Sequence, residues 1–141
     1  MIQLLAGLKG EGKTKRLIAM ANEKAEKADG KVVFIDDDRR HIHDISHIIR
    51  FIDTTEFPLA NFREFAAFIH GVLSMDNDVS DVYIDGLTNL IPNLDSDNLI
   101  DIKNLFSSLG KDRGVNFTAT INIEPGALPS ELAYTLVINE E

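Results

Sequence analysis

The chain has 141 residues, a length that suits one domain with a hydrophobic core of its own. Its formal net charge of −9 argues against a nucleic-acid surface, which needs clustered Lys and Arg, and no apolar run approaches the ~20 residues of a membrane span. There are no cysteines, so disulfides and thiolate metal sites are excluded and a reducing cytoplasm is the expected compartment.

The first apolar run, residues 2–6, is expected to be a β-strand. Because the chain opens on it, the expectation is that no targeting segment or N-terminal domain precedes it. Gly7-Leu8-Lys9-Gly10-Glu11-Gly12-Lys13-Thr14 comes next and reads G-x-x-x-x-G-K-T, the P-loop pattern. Glycines let backbone N–H groups turn inward around a polyphosphate, and the following helix points its positive end at the same group. Lys13 would supply a point charge for the outer phosphates and the Thr14 hydroxyl would ligate Mg²⁺. The nucleotide contacts expected here are Gly7, Lys9, Gly10, Glu11, Gly12, Lys13, Thr14 and Lys15. The competing reading is a plain glycine-rich turn between strand and helix.

The helix should run from Lys13 to about Ala28, burying Leu17, Ile18, Ala21 and Ala25, with Gly30 suited to a left-handed C-terminal position. Residues 31–36 read as a second strand, apolar throughout as a central parallel strand should be, and run into Asp36-Asp37-Asp38. A weak Ile42, Ile45, Ile48, Ile49 spacing predicts a short helix within 37–49. His41, His43 and His47 fall in that segment. A transition-metal site there is weighed against solvated histidines in a polar connector, and the second is preferred.

Residues 50–53 suit a short extra edge strand. Asn61 reads as a helix N-cap with Glu64 completing a capping box, and Phe62, Phe65, Ala66, Ile69, Val72 and Leu73 follow at helical spacing as core. A strand over 82–85 ends on Asp85, a helix spans about 96–109, and a strand over 115–123 carries Thr118, Thr120 and Asn122 toward its carboxyl end. Pro125, Gly126 and Pro129 break the chain, a short helical turn follows, and residues 135–139 read as a last strand.

Strands alternating with helices imply a mostly parallel sheet of about five strands in a three-layer α/β domain covering residues 1–141. Ligands of such sheets sit at the carboxyl ends of the strands. Asp85 there would hold Mg²⁺ alongside Thr14, or else cap a turn. One of Asp36, Asp37 and Asp38 would orient water, against the alternative of a solvated acidic turn. Asn122 or Thr120 would touch the γ-phosphate, or else simply end a strand.

The series resembles the RecA-type branch of P-loop ATPases, the group with RecA, the DnaB-type helicases and KaiC. The loop carries the resemblance, with Val33-Phe34-Ile35-Asp36-Asp37-Asp38 similar to the family's second core strand and Val82-Tyr83-Ile84-Asp85-Gly86-Leu87 similar to its Walker B strand. The resemblance implies a RecA-like strand order. It would put the catalytic carboxylate at Asp38, where the family has the longer Glu, and the γ-phosphate sensor at Asn122. No Glu follows Asp85, and Leu8 stands where the MinD/ParA group has an extra lysine. The chain also resembles small bacterial ATP-binding proteins labelled PilT-like.

The expected function is therefore Mg-ATP binding with slow hydrolysis, using Lys13, Asp38 and Asn122 as catalytic residues and Thr14 with Asp85 as metal ligands. Absence of an N-K-x-D sequence favours ATP over GTP. Arg39, Arg40 and Arg113 are candidate arginine fingers if a neighbouring subunit presents them. The alternatives are a nucleotide-dependent switch without hydrolysis and, further off, a small-molecule kinase, for which no arginine-rich lid is visible. Expected partners are the nucleotide and either a protein or a second copy of the chain, with no nucleic acid and no membrane.

Overall fold

Alternation of strand and helix along the chain becomes one parallel sheet in the computed structural model, which describes residues 1–8 and 12–138 and only the backbone of 133–138. The strands are β1 (Ile2–Ala6), β2 (Lys31–Asp36), β3 (Arg50–Asp53), β4 (Val79–Ile84), β5 (Asn116–Ile121) and β6 (Leu136–Ile138). The helices are α1 (Lys13–Lys27), α2 (Phe62–Ser74), the short α3 (Leu87–Leu90) and α4 (Ser96–Arg113). The sheet order is β3-β2-β4-β5-β1-β6 and every pair is parallel. The sheet has six strands where about five were expected, and the strand expected over 135–139 is the three-residue edge strand β6. Asn139, expected in that strand, lies outside the described residues.

Two-residue alternation divides each strand between the two faces of the sheet. Val33, Ile35, Val82, Ile84, Phe117, Ala119 and Ile121 enter the larger core with Phe65, Ile69 and Leu73 of α2 and Leu99, Ile102 and Phe106 of α4. Val32, Phe34 and Tyr83 face the other way, against Leu17, Ile18 and Ala21 of α1. Helices thus cover both faces. Among the described residues, no helix is long and apolar enough to cross a membrane.

Local signals set most of the boundaries. Asn61 caps α2, its Oδ1 accepting the Glu64 N–H at 3.0 Å. Glu64 Oε1 answers by accepting the Ala60 N–H at 2.8 Å, one residue before the box position. Asp95 caps α4 in the same way, through the Asn98 N–H at 2.8 Å. That helix continues past the predicted end at Leu109 to Arg113 and stops at Gly114, whose φ of 70° is the left-handed conformation that glycine tolerates.

Two expectations require correction. Gly30 does not adopt a left-handed conformation; Ala28 caps α1 in an extended one. Gly30 is needed for space, because a Cβ there would strike the Asp78 carbonyl and approach Ser80 Cβ to 2.7 Å. Segment 37–49 holds a single 3-10 turn, Ile42–Asp44, in place of the predicted short helix. Tertiary contacts win over helical bonding in that segment. Ile45 and Ile49 are buried in the α1-side core. Asn22 of α1 clamps the backbone, donating to the Asp44 carbonyl at 2.9 Å and accepting the Ser46 N–H at 2.8 Å.

The larger core is held by an aromatic stack. Phe106 lies parallel to Phe117 at 4.2 Å between ring centroids and meets Phe65 edge-on at 6.2 Å. Phe106→Ala should cost ~3–5 kcal/mol of unfolding free energy in urea titrations, with the denaturant slope unchanged.

Candidate functional site

Parallel pairing brings the carboxyl ends of all strands to one edge of the sheet. Two backbone bonds carry the ladder past the strand ends: the Asp85 N–H donates to the Ile35 carbonyl at 2.9 Å, and the Gly7 N–H to the Ile121 carbonyl at 3.3 Å. Alternation then sets directions. Asp36 follows Phe34 by two residues, Asp85 follows Tyr83, and Thr120 follows Thr118. All three therefore emerge on the α1 side, facing the N-terminus of that helix.

That N-terminus is unlike those of α2 and α4. Gly12 caps it in the left-handed conformation, with φ 78°, and as a glycine it offers no side chain to the first N–H groups. Its first turn holds no acid but carries Lys13, Lys15 and Arg16. Positive side chains at the positive end of a helix oppose its dipole, and an anion bound there would reverse the sign of the interaction. Lys13 is buried, 5% exposed, and its Nζ donates to the Leu8 carbonyl at 2.8 Å, so the ammonium curls back over the loop. Lys9, Gly10 and Glu11, three of the expected nucleotide contacts, lie outside the described residues.

Thr14 faces Asp85 across this edge. Its hydroxyl lies 3.0 Å from one oxygen of the carboxylate and 3.2 Å from the other. Adjacent ligands of an octahedral Mg²⁺ stand about 2.9 Å apart, so this oxygen pair matches one edge of such a site. Thr120 fixes the carboxylate from behind. Its hydroxyl donates to Asp85 Oδ1 at 2.7 Å and accepts the Gly86 N–H at 2.7 Å. Thr120, expected as an alternative to Asn122 for contact with a phosphate, is only 2% exposed and its hydroxyl is committed to Asp85 and Gly86.

The acidic run at the end of β2 separates into distinct roles. Asp36 is buried, 3% exposed. Burial, then the negative charge of Asp85, then Asp37 push its carboxyl up to about 8. Asp38 is engaged by Arg40: its Oδ1 accepts the Arg40 backbone N–H at 2.7 Å and its Oδ2 accepts Nε–H at 2.6 Å. The backbone bond, with the guanidinium beside it, holds this carboxyl below its ordinary value.

A cavity of about 320 Å³ unites these groups, lined by Gly12, Lys13, Thr14, Lys15, Asp36, Asp37, Asp38, Arg40, His41, Asp85, Gly86, Asn89, Thr120 and Asn122. Every described residue of the predicted site except Gly7 lines it, and Gly7 is bonded to the end of β5 at its margin. Asn122 follows β5, with its backbone N–H 3.4 Å from the Thr88 hydroxyl. No protein-family model matches the chain, and no curated protein matches it in sequence.

Sequence reasoning passed over Arg40 as a wall of this chain's own cavity, as well as Asn89, His41 and the Thr120 clamp. Two-residue alternation from Phe34 sets Asp36 apart from Asp37 but not from Asp38, which lies beyond the end of β2. His43 and His47 line a separate hollow with Asn22. Among the described residues no group of three or more His, Asp or Glu side chains is arranged to hold a metal ion. A cation at Thr14 and Asp85 would therefore need phosphate or water to complete its shell, the usual arrangement for Mg²⁺.

The folded protein keeps the Asp36 proton up to about pH 8, whereas the unfolded chain loses it near pH 4. Ionisation thus favours the unfolded state, and stability contributed by this group is full below pH 4 and declines as pH rises toward 8. In metal-free buffer, Asp36→Asn should gain stability relative to the parent protein steadily from pH 4 to 8. Urea midpoints measured at several pH values check this; a pH-independent difference would contradict it.

Proposed function

We propose that this domain binds a nucleoside triphosphate, ATP by preference, as its Mg²⁺ complex. In this reading the 7–14 segment is a P-loop. The backbone N–H groups at the start of α1 and Lys13, with Lys15 at the rim, hold the phosphates. Thr14 and Asp85 hold the metal, which when bound would neutralise charge on the phosphate oxygens. The observation that carries the reading is the bond between the Thr14 hydroxyl and Asp85, residues 71 positions apart, beside a helix N-terminus capped by Gly12 whose first turn holds no acid. The sheet order adds support: β5 stands between β1 and β4, which agrees with the RecA-like arrangement that the sequence resembles.

Hydrolysis in this reading is slow. The carboxylate expected to orient water, Asp38, already accepts two hydrogen bonds from Arg40. Asp36 lies deeper, and burial beside Asp85 keeps it protonated at neutral pH. A protonated acid does not serve as a base until its neighbour's charge is neutralised. Asn122, at the end of β5, remains the candidate for contact with the γ-phosphate. The engagement of Asp38 also favours a second reading, a nucleotide-dependent binding module without useful turnover. The anchoring of 42–49 by Asn22, Ile45 and Ile49 would confine any switching to residues near 37–41.

Calorimetric titration with Mg-ATP should give measurable affinity for the parent protein, lost by about tenfold or more in Lys13→Ala. In Asp85→Asn the nucleotide should still bind, but with little dependence on Mg²⁺. No affinity in the parent protein would overturn the reading. Turnover in the parent protein that disappears in Asp36→Ala or Asp38→Ala while binding persists would eliminate the module-only alternative.

A further inference from the structure

The three arginines considered as charge donors to a phosphate lie in different places. Arg113 sits at the last turn of α4 and donates to the Leu73 carbonyl at 3.1 Å. Arg39 meets Asp53 Oδ2 at 3.4 Å and does not line the cavity. Arg40 does line it, together with Lys13, Thr14 and Asp85.

The charges of the cavity require such a group. Its wall carries the carboxyls of Asp36, Asp37, Asp38 and Asp85. Lys13 and Lys15 both belong to the start of α1, whereas an outer phosphate reaching toward the end of β2 would meet Asp37 and Asp38 there. Among the described residues of the wall, Arg40 is the cation on that side. Its side chain is 77% exposed and is held by Asp38 through Nε and the backbone N–H. That grip leaves both terminal NH₂ groups of the guanidinium for another acceptor, the pair that suits a phosphate.

We propose that Arg40 acts in cis as the contact for the terminal phosphate of the bound nucleotide, and that Asp38 is its positioning residue rather than the residue that activates water. The proposal rests on the nucleotide-binding reading above and assigns a different role to Asp38 from the one the sequence suggested. In this assignment Arg40 reports the third phosphate and makes no contact with a diphosphate. Asp38 would act only through Arg40, by restricting where the guanidinium can go.

Affinities for Mg-ATP and Mg-ADP, measured by calorimetry on the parent protein, Arg40→Ala, Arg40→Lys, Asp38→Asn and the double variant, test both parts. Arg40→Ala should weaken Mg-ATP by about tenfold or more and leave Mg-ADP within about twofold, and Arg40→Lys should recover part of the loss. Asp38→Asn should weaken Mg-ATP alone and add nothing once Arg40 is gone. If the parent protein binds both nucleotides and Arg40→Ala alters neither, or both equally, the Arg40 assignment fails while the nucleotide reading stands. A full, additive effect of Asp38→Asn in the Arg40→Ala background would return Asp38 to direct work on the substrate. A parent protein that binds neither nucleotide removes the reading on which the inference is built.

Discussion

Insertion of β5 between β1 and β4, with every strand parallel, is the constraint on which the site depends. It sets Thr120 of β5 beside the carboxylate that follows β4. A threonine hydroxyl can donate to one partner and accept from another, and Thr120 uses both capacities, on Asp85 and on the Gly86 N–H. Gly86 is free to accept this bond geometry because its φ of 81° lies where glycine alone is comfortable. The carboxylate held in this way meets Thr14 at the head of α1. One short side chain thus couples three segments that are distant in sequence.

Two unfavourable features face each other across the cavity. Lys13, Lys15 and Arg16 stand at the positive end of the α1 dipole, while burial and the charge of Asp85 hold Asp36 of the neighbouring strand back from ionising. The dipole contribution at a helix end is only ~0.3–1 kcal/mol per charge, but both features act in the same small volume. A metal cation bound to a polyphosphate would relieve them together, supplying positive charge to the acids and negative charge to the helix. A simple anion or a lone cation would relieve only one. This charge arrangement is the physical basis of the proposed Mg²⁺–nucleotide ligand.

The two faces of the sheet contribute unequally. The face with α2 and α4 carries the larger core and the stacked Phe106 and Phe117. The α1 face carries a smaller core that includes Ile45 and Ile49 from the irregular connector after β2. The connector is therefore packed, not loose, and its position is set by Asn22. Arg40 lies on the exposed stretch between that anchored part and the strand, where a side chain can change partners without disturbing either core.

Short-range rules made much of this protein legible from its residues. Strand and helix periods, the Asn61 cap and the G-x-x-x-x-G-K-T spacing depend on neighbours a few positions apart, and β1, β2, α1 and the Asp85 strand end follow from them. Asp85 could be paired with Thr14 in advance because parallel strands must present their carboxyl ends together. What only the tertiary structure decided was which way each polar group at those ends turns. Asp36 and not Asp38 is buried, Thr120 serves Asp85, Arg40 faces the cavity of its own chain, and Gly30 is required by the Asp78 carbonyl. Those outcomes depend on strand order and on packing between segments far apart in the chain, and local sequence carries no term for either.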